Sequence, residues 1–163
     1  MSPVSVSAVP RAEVEAELAR LLGGRAVARD AHGKPQVVAV AGGPELHFNL
    51  SHSGEWALIA VCEDSPVGVD IERPRVFRNP LGLAQRLCSA RELEHVRGGE
   101  DQAGLLRLWV RKEAVAKADG GGLLMALGEL DVLDPIVRGE WMVQDLDAPA
   151  PGYVAAVAWR ADR

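Results

Sequence analysis

Two apolar runs, Trp56 to Cys62 and Tyr153 to Trp159, do most to limit what this chain can fold into. A hydrophobic run of that length, closed off by turn residues, reads as a strand buried on both faces, and such a strand needs cover from other elements. Each run ends a stretch that passes from a helical pattern into extended segments. The chain therefore reads as two halves that each pass from helix to strands, with a weak internal duplication. Its 163 residues suit one domain, 1–163, with half one about 1–72 and half two about 73–163.

The intervening segments follow from local signals. Arg11 to Leu22 carries Val14, Leu18, Leu21 and Leu22 on one helical face and stops at Gly23-Gly24. His32-Gly33-Lys34-Pro35 is a turn into a short strand over Val37 to Ala41, and Leu46 to Leu50 is a further extended piece. Ser51-His52-Ser53-Gly54 reads as a polar turn. Val67 to Glu72 alternates strictly, which puts Val67, Val69 and Ile71 on one side of a strand and Asp70 and Glu72 on the other. Arg73 to Pro80 is a connector, and Leu81 to Cys88 is helical in pattern. Ser89-Ala90-Arg91-Glu92 fits a capping box opening another helix. A longer helix runs from about Leu105 to Ala118, and Trp141 to Leu146 with Tyr153 to Arg160 makes an antiparallel hairpin.

Charge narrows the possible partners. A net charge of −5 argues against general affinity for nucleic acid. No apolar run reaches the ~20 residues of a membrane span, and Met1 to Pro10 has no signal-peptide pattern, so the cytoplasm is the expected location. Cys62 and Cys88 lack the spacing of a zinc site and read as buried thiols. The 18 basic residues comprise fifteen arginines and only Lys34, Lys112 and Lys117. An ammonium is a compact point charge that approaches phosphate oxygens differently from a guanidinium, so these three positions stand out.

Three groups of residues can carry chemistry. Asp70 and Glu72, two apart on one strand face, either look into solvent or share a hard cation. On the long helix, Glu113 and Lys117 are spaced for an ion pair, while Lys112 falls within the apolar stripe of Leu105, Leu108, Trp109, Val115 and Ala116. A lysine there must reach out to water or meet an anion. Ser51, His52 and Ser53 offer donors to a phosphate, or form a polar turn without function. Neither serine has the context of a hydrolase nucleophile, and no Walker or dinucleotide motif occurs.

Taken in order, Gly33-Lys34-Pro35, Phe48-Asn49-Leu50-Ser51-His52-Ser53, Gly68-Val69-Asp70-Ile71-Glu72 and Trp109 to Ala118 with Gly120, Gly122 and Leu123 resemble the phosphopantetheinyl transferases of the surfactin-synthetase (Sfp) type. Leu83 to Glu92 looks like the helix between that family's two acidic motifs. The resemblance covers roughly residues 18 to 123. It implies an α+β phosphopantetheinyl transferase fold whose two halves are related by a pseudo-twofold, with the site between them. The implied activity is transfer of 4'-phosphopantetheine from coenzyme A to a serine of an apo acyl or peptidyl carrier protein, releasing adenosine 3',5'-bisphosphate. By the same resemblance Asp70, Glu72 and Glu113 bind magnesium, and Glu113 deprotonates the carrier serine, directly or through water. Lys117 holds the phosphates with Lys112 beside it, and Lys34, Ser51 and His52 contact phosphates of the adenosine half. Family members usually carry more chain before the Gly-Lys-Pro turn, so the first half reads as shortened. A monomer and a homodimer that replaces the missing wall are both open. Two other functions are open: a non-catalytic carrier-protein-binding module that keeps the transferase fold, and a magnesium-dependent hydrolase of coenzyme A or a related pyrophosphate that uses the same site.

Overall fold

The computed structural model of the protein describes residues 4–29, 35–38, 41–63, 65–120 and 127–161. Gly33, Lys34, Gly122 and Leu123 lie outside the described residues. In chain order the elements are β1 (Val4–Pro10), a 3-10 turn, α1 (Val14–Leu21), β2 (Val27–Arg29), β3 (Pro35–Val37), β4 (Leu46–Ser53), β5 (Trp56–Glu63) and β6 (Val67–Glu72). They continue with α2 (Pro80–Leu87), α3 (Ala90–His95), α4 (Gln102–Asp119), β7 (Ile136–Val137), β8 (Trp141–Leu146) and β9 (Val154–Arg160).

The two apolar runs are the central strands of two sheets, as their composition demands. β5 lies between β1 and β4, and β9 lies between β6 and β8, with β7 outermost. Every pairing in both sheets is antiparallel. β1 is an element the apolar pattern alone does not announce. Its Val-Ser alternation gains a full-length partner in β5, from Val4 opposite Cys62 to Pro10 opposite Trp56. Val14, Leu18, Leu21 and Leu22 of the first helix pack onto Phe48, Ile59 and Val61, closing the outer side of this sheet.

Two boundaries move. β4 does not end at Leu50 but runs to Ser53, because β5 supplies a partner as far as Trp56; Ser51-His52-Ser53 is strand, and the turn is Gly54-Glu55. β6 pairs with β9 from Val67 opposite Trp159 to Glu72 opposite Val154. It therefore belongs to the second sheet, and the seam between the sheets lies ahead of β6, not after Glu72.

Both faces of β6 are covered. Val67, Val69 and Ile71 join a core with Leu58, Ala60, Ala155 and Val157, while α4 lies across the other face. Gly68 sets that approach: a Cβ there would stand 2.1 Å from the Ala114 carbonyl oxygen and 2.4 Å from the Ala118 nitrogen. A larger residue would push the helix off the strand. The capping box forms as its sequence requires, with Ser89 Oγ accepting from the Glu92 nitrogen and the Glu92 carboxylate accepting from the Ser89 nitrogen. No helix among the described residues is long and apolar enough to cross a membrane.

Candidate active site at the seam between the sheets

β4 and β6 are edge strands of different sheets, and side chains rather than backbone ladders join them. Asn49, Ser51 and Ser53 alternate onto one face of β4. Asn49 Oδ1 accepts from the Val69 nitrogen at 3.0 Å, Ser51 donates to Asp70 Oδ1 at 2.8 Å, and Ser53 donates to Glu72 Oε2 at 3.0 Å. Three successive side chains of one strand thus fix both acidic positions of the other.

Because α4 packs so closely on Gly68, its polar edge stands over Asp70. Lys117 Nζ donates to Asp70 Oδ1 at 2.6 Å, to Ser51 Oγ at 3.1 Å and to the Val69 carbonyl at 3.3 Å. Glu113, one turn earlier on α4, is half-buried. Burial raises its carboxyl pKa, the negative charges of Asp70 and Glu72 raise it further, and Lys117 acts in the opposite direction. Asp70, Glu72, Glu113 and Lys117 are therefore gathered at one place, and Ser51 is part of it.

Among the described residues no three acidic, histidine or cysteine side chains close into a ready-made coordination shell. The donor set still suits a hard divalent ion. It offers carboxylate oxygens only, and Asp70 Oδ2 is buried with no hydrogen-bond partner. An unsatisfied buried carboxylate oxygen is costly, and the charges of Asp70 and Glu72 both act on the Glu113 carboxyl.

Of the remaining predicted site residues, Lys34 lies outside the described ones, and His52 and Lys112 are placed elsewhere. His52 follows Ser51 on β4, so it faces the opposite side and is exposed. Lys112 is a correction. Its side chain is wholly buried, with Nζ 2.8 Å from Glu92 Oε2, donating to the Leu127 carbonyl at 2.8 Å and to the Leu130 carbonyl as well. Its three protons are used inside the second-half core, so it faces no phosphate. The apolar stripe located it correctly, and the anion it meets is the capping glutamate. Sequence reasoning did not single out Arg75. In the connector, this residue pairs with Glu72 at 3.5 Å and lies over the Phe77 and Trp109 rings. No spacing rule links a connector residue to a ring 34 positions on, so nothing in the sequence marked it.

A cavity of about 590 Å³ opens where the end of α4 meets the start of β6. It begins at Ala118, Asp119 and Gly120, one step beyond Lys117, and extends past Phe48 and His47 to Arg25.

Residues 66–158 match the family model described as the 4'-phosphopantetheinyl transferase superfamily. The chain is 39% identical over 143 residues to the 4'-phosphopantetheinyl transferase psf-1 of Bacillus pumilus, covering 80% of this chain and 59% of that protein. It is 34% identical over 139 residues to the 4'-phosphopantetheinyl transferase HetI of Nostoc sp., covering 79% and 58%. With the 4'-phosphopantetheinyl transferase Sfp of Bacillus subtilis the identity is 33% over 104 residues, covering 62% and 44%. The chain thus spans about half the length of the curated relatives it matches. The family match takes in more than half of the chain and every element carrying Asp70, Glu72, Glu113 and Lys117. With Sfp-type transferases among its relatives, the chain belongs to the 4'-phosphopantetheinyl transferase superfamily.

Proposed function

We propose that the chain transfers 4'-phosphopantetheine from coenzyme A to a serine of an apo acyl or peptidyl carrier protein, in the cytoplasm. The observation that carries this reading is the buried, unpartnered Asp70 Oδ2, on a carboxylate that Lys117 pairs with and whose charge, with that of Glu72, acts on Glu113. Asp70, Glu72 and Glu113 would hold magnesium, which when bound neutralises charge on the pyrophosphate.

The chain's own residues supply the rest. Lys117 neutralises Asp70 at 2.6 Å and would hold a phosphate oxygen. Glu113, half-buried on α4, accepts the proton of the carrier serine, directly or through water. The serine oxygen then forms a bond to the phosphorus next to pantetheine. The bond from that phosphorus to the leaving phosphate breaks, and adenosine 3',5'-bisphosphate departs. Such a transfer needs alignment and charge neutralisation more than covalent help. The cavity past Phe48 and His47 would take the adenosine half of coenzyme A. β5 and β9, each the centre of its sheet, would be the strands that the proposed pseudo-twofold exchanges.

Incubation with coenzyme A, magnesium and apo carrier proteins is expected to add the phosphopantetheine mass to the carrier by mass spectrometry. No shift across several carriers sinks the proposal, and carrier binding without a shift favours a binding module. Release of adenosine bisphosphate without any carrier favours a hydrolase. Glu113→Ala is expected to lower transfer by about 10²-fold or more with the circular dichroism spectrum unchanged.

A further inference from the structure

We infer that Arg75 is a positioning residue that sets the spacing between the carboxylates of Glu72 and Glu113. The inference rests on the transferase reading above, in which those carboxylates hold the metal.

Arg75 touches both elements that carry them. Its guanidinium is 3.5 Å from Glu72 Oε1, at the end of β6, and its Cζ lies 5.7 Å from the ring centroid of Trp109 on α4. Trp109 and Glu113 are four apart on that helix, so they share a face on adjacent turns. The guanidinium therefore spans from the strand end of one carboxylate to the helical turn next to the other. A single ion pair at this distance and exposure would hold little, because two flexible side chains must be ordered for it. Arg75 is ordered by other means. It also lies 5.3 Å over Phe77, and a planar guanidinium against two rings has its orientation fixed before it meets Glu72.

The connector around it is clamped at both ends. The Arg73 nitrogen donates to Ser53 Oγ at 3.0 Å, and the Phe77 nitrogen donates to Gln102 Oε1, at the start of α4, at 2.8 Å. Ser53 in turn donates to Glu72 Oε2. Each oxygen of Glu72 thus has one fixed cationic or hydroxyl partner, and each keeps a lone pair for a cation. Groups that orient a metal-binding carboxylate in this way typically change metal affinity by about 10- to 100-fold when removed.

The test uses the intact chain with Mn2+ as the probe, free ion being read by electron paramagnetic resonance, alongside the magnesium dependence of transfer. Arg75→Ala is expected to weaken Mn2+ binding by about 10- to 100-fold and to raise the magnesium needed for half-maximal transfer by a similar factor. The rate at saturating magnesium should recover, which a general loss of structure would not allow. Arg75→Lys keeps the charge but not the planar stack, and is expected to lose affinity by about threefold or more. Arg78→Ala, at an exposed position of the same connector, should bind Mn2+ as the parent does. If the parent binds Mn2+ and folded Arg75→Ala binds it equally well, the role is overturned. Should Arg75→Ala fail to fold, parent-like Mn2+ affinity in Arg75→Lys overturns it instead. A parent chain that neither binds Mn2+ nor transfers removes the transferase reading and this role with it.

Discussion

Helix α4 presents two lysine–carboxylate pairs that differ in what they leave unfinished. Lys112 and Glu92 are 2.8 Å apart with both side chains at 0% exposure, and every strong partner is present. Lys112 meets two carbonyls besides Glu92, while Glu92 also accepts from the Ser89 and Val132 nitrogens. Lys117 and Asp70 are 2.6 Å apart, yet Lys117 is 29% exposed and Asp70 keeps one buried oxygen without a partner. The closed pair does structural work: it ties α4 to the start of α3 and to the segment entering Leu130. The open pair has unused acceptor capacity at a partly exposed place. A lysine on a helix is thus a structural or a functional group according to what surrounds its partner, and the residue types alone do not say which.

Breaking the closed pair should have the largest effect on stability. Lys112→Met leaves Glu92 without its ammonium partner in the core, at an expected cost of about 3–5 kcal/mol by urea unfolding. Adding Glu92→Gln should recover part of that loss. If Lys112→Met instead lowers transfer with stability intact, Lys112 belongs with the phosphate site and the contrast collapses.

Asp70→Asn sharpens the other side. The amide oxygen can still accept from Ser51 and Lys117, so the stability cost should be about 1–2 kcal/mol. Transfer should fall by about 10²-fold or more, because an amide nitrogen, a donor without charge, replaces the unpartnered oxygen. Retained transfer in a folded Asp70→Asn protein would show that the orphaned oxygen is idle.

The smallest effect concerns acid. Asp131 is held at about 2, below its ordinary 3.8, first by the Arg91 guanidinium and also by Ser89 Oγ, the hydroxyl of the capping box. A depressed carboxyl stabilises the fold above pH 3.8 and loses that contribution as pH falls from about 4 towards 2. With Asp131 partly exposed, screening leaves about 1 kcal/mol. Asp131→Asn should flatten the acid limb of the stability profile, measured by urea midpoints at pH 7 and pH 3; an unchanged slope would place the acid-sensitive group elsewhere.

Much of this was legible in local patterns. The Ser89–Glu92 capping box, the α4 helix and the strand over Val67 to Glu72 follow from signals within a few residues, and the structure forms them where the sequence puts them. Ser51-His52-Ser53 was misread as a turn because strand length depends on a partner strand, and β5 holds β4 extended to Ser53. Burial of Asp70 was equally hidden, since alternation tells two faces apart but not whether a helix covers the second.

By itself, the sequence determined the two apolar central strands, the amphipathic and capped helices, and the ordered motifs that place the chain in its superfamily. Those features depend on residue type and spacing along the chain. Tertiary structure decided which sheet β6 joins, that Lys112 is sealed against Glu92 while Lys117 stands over Asp70, and that Arg75 reaches Trp109. Each of those contacts joins residues distant in sequence, and how closely α4 can approach β6 at Gly68 is a property of packed volume, which no one-dimensional pattern records.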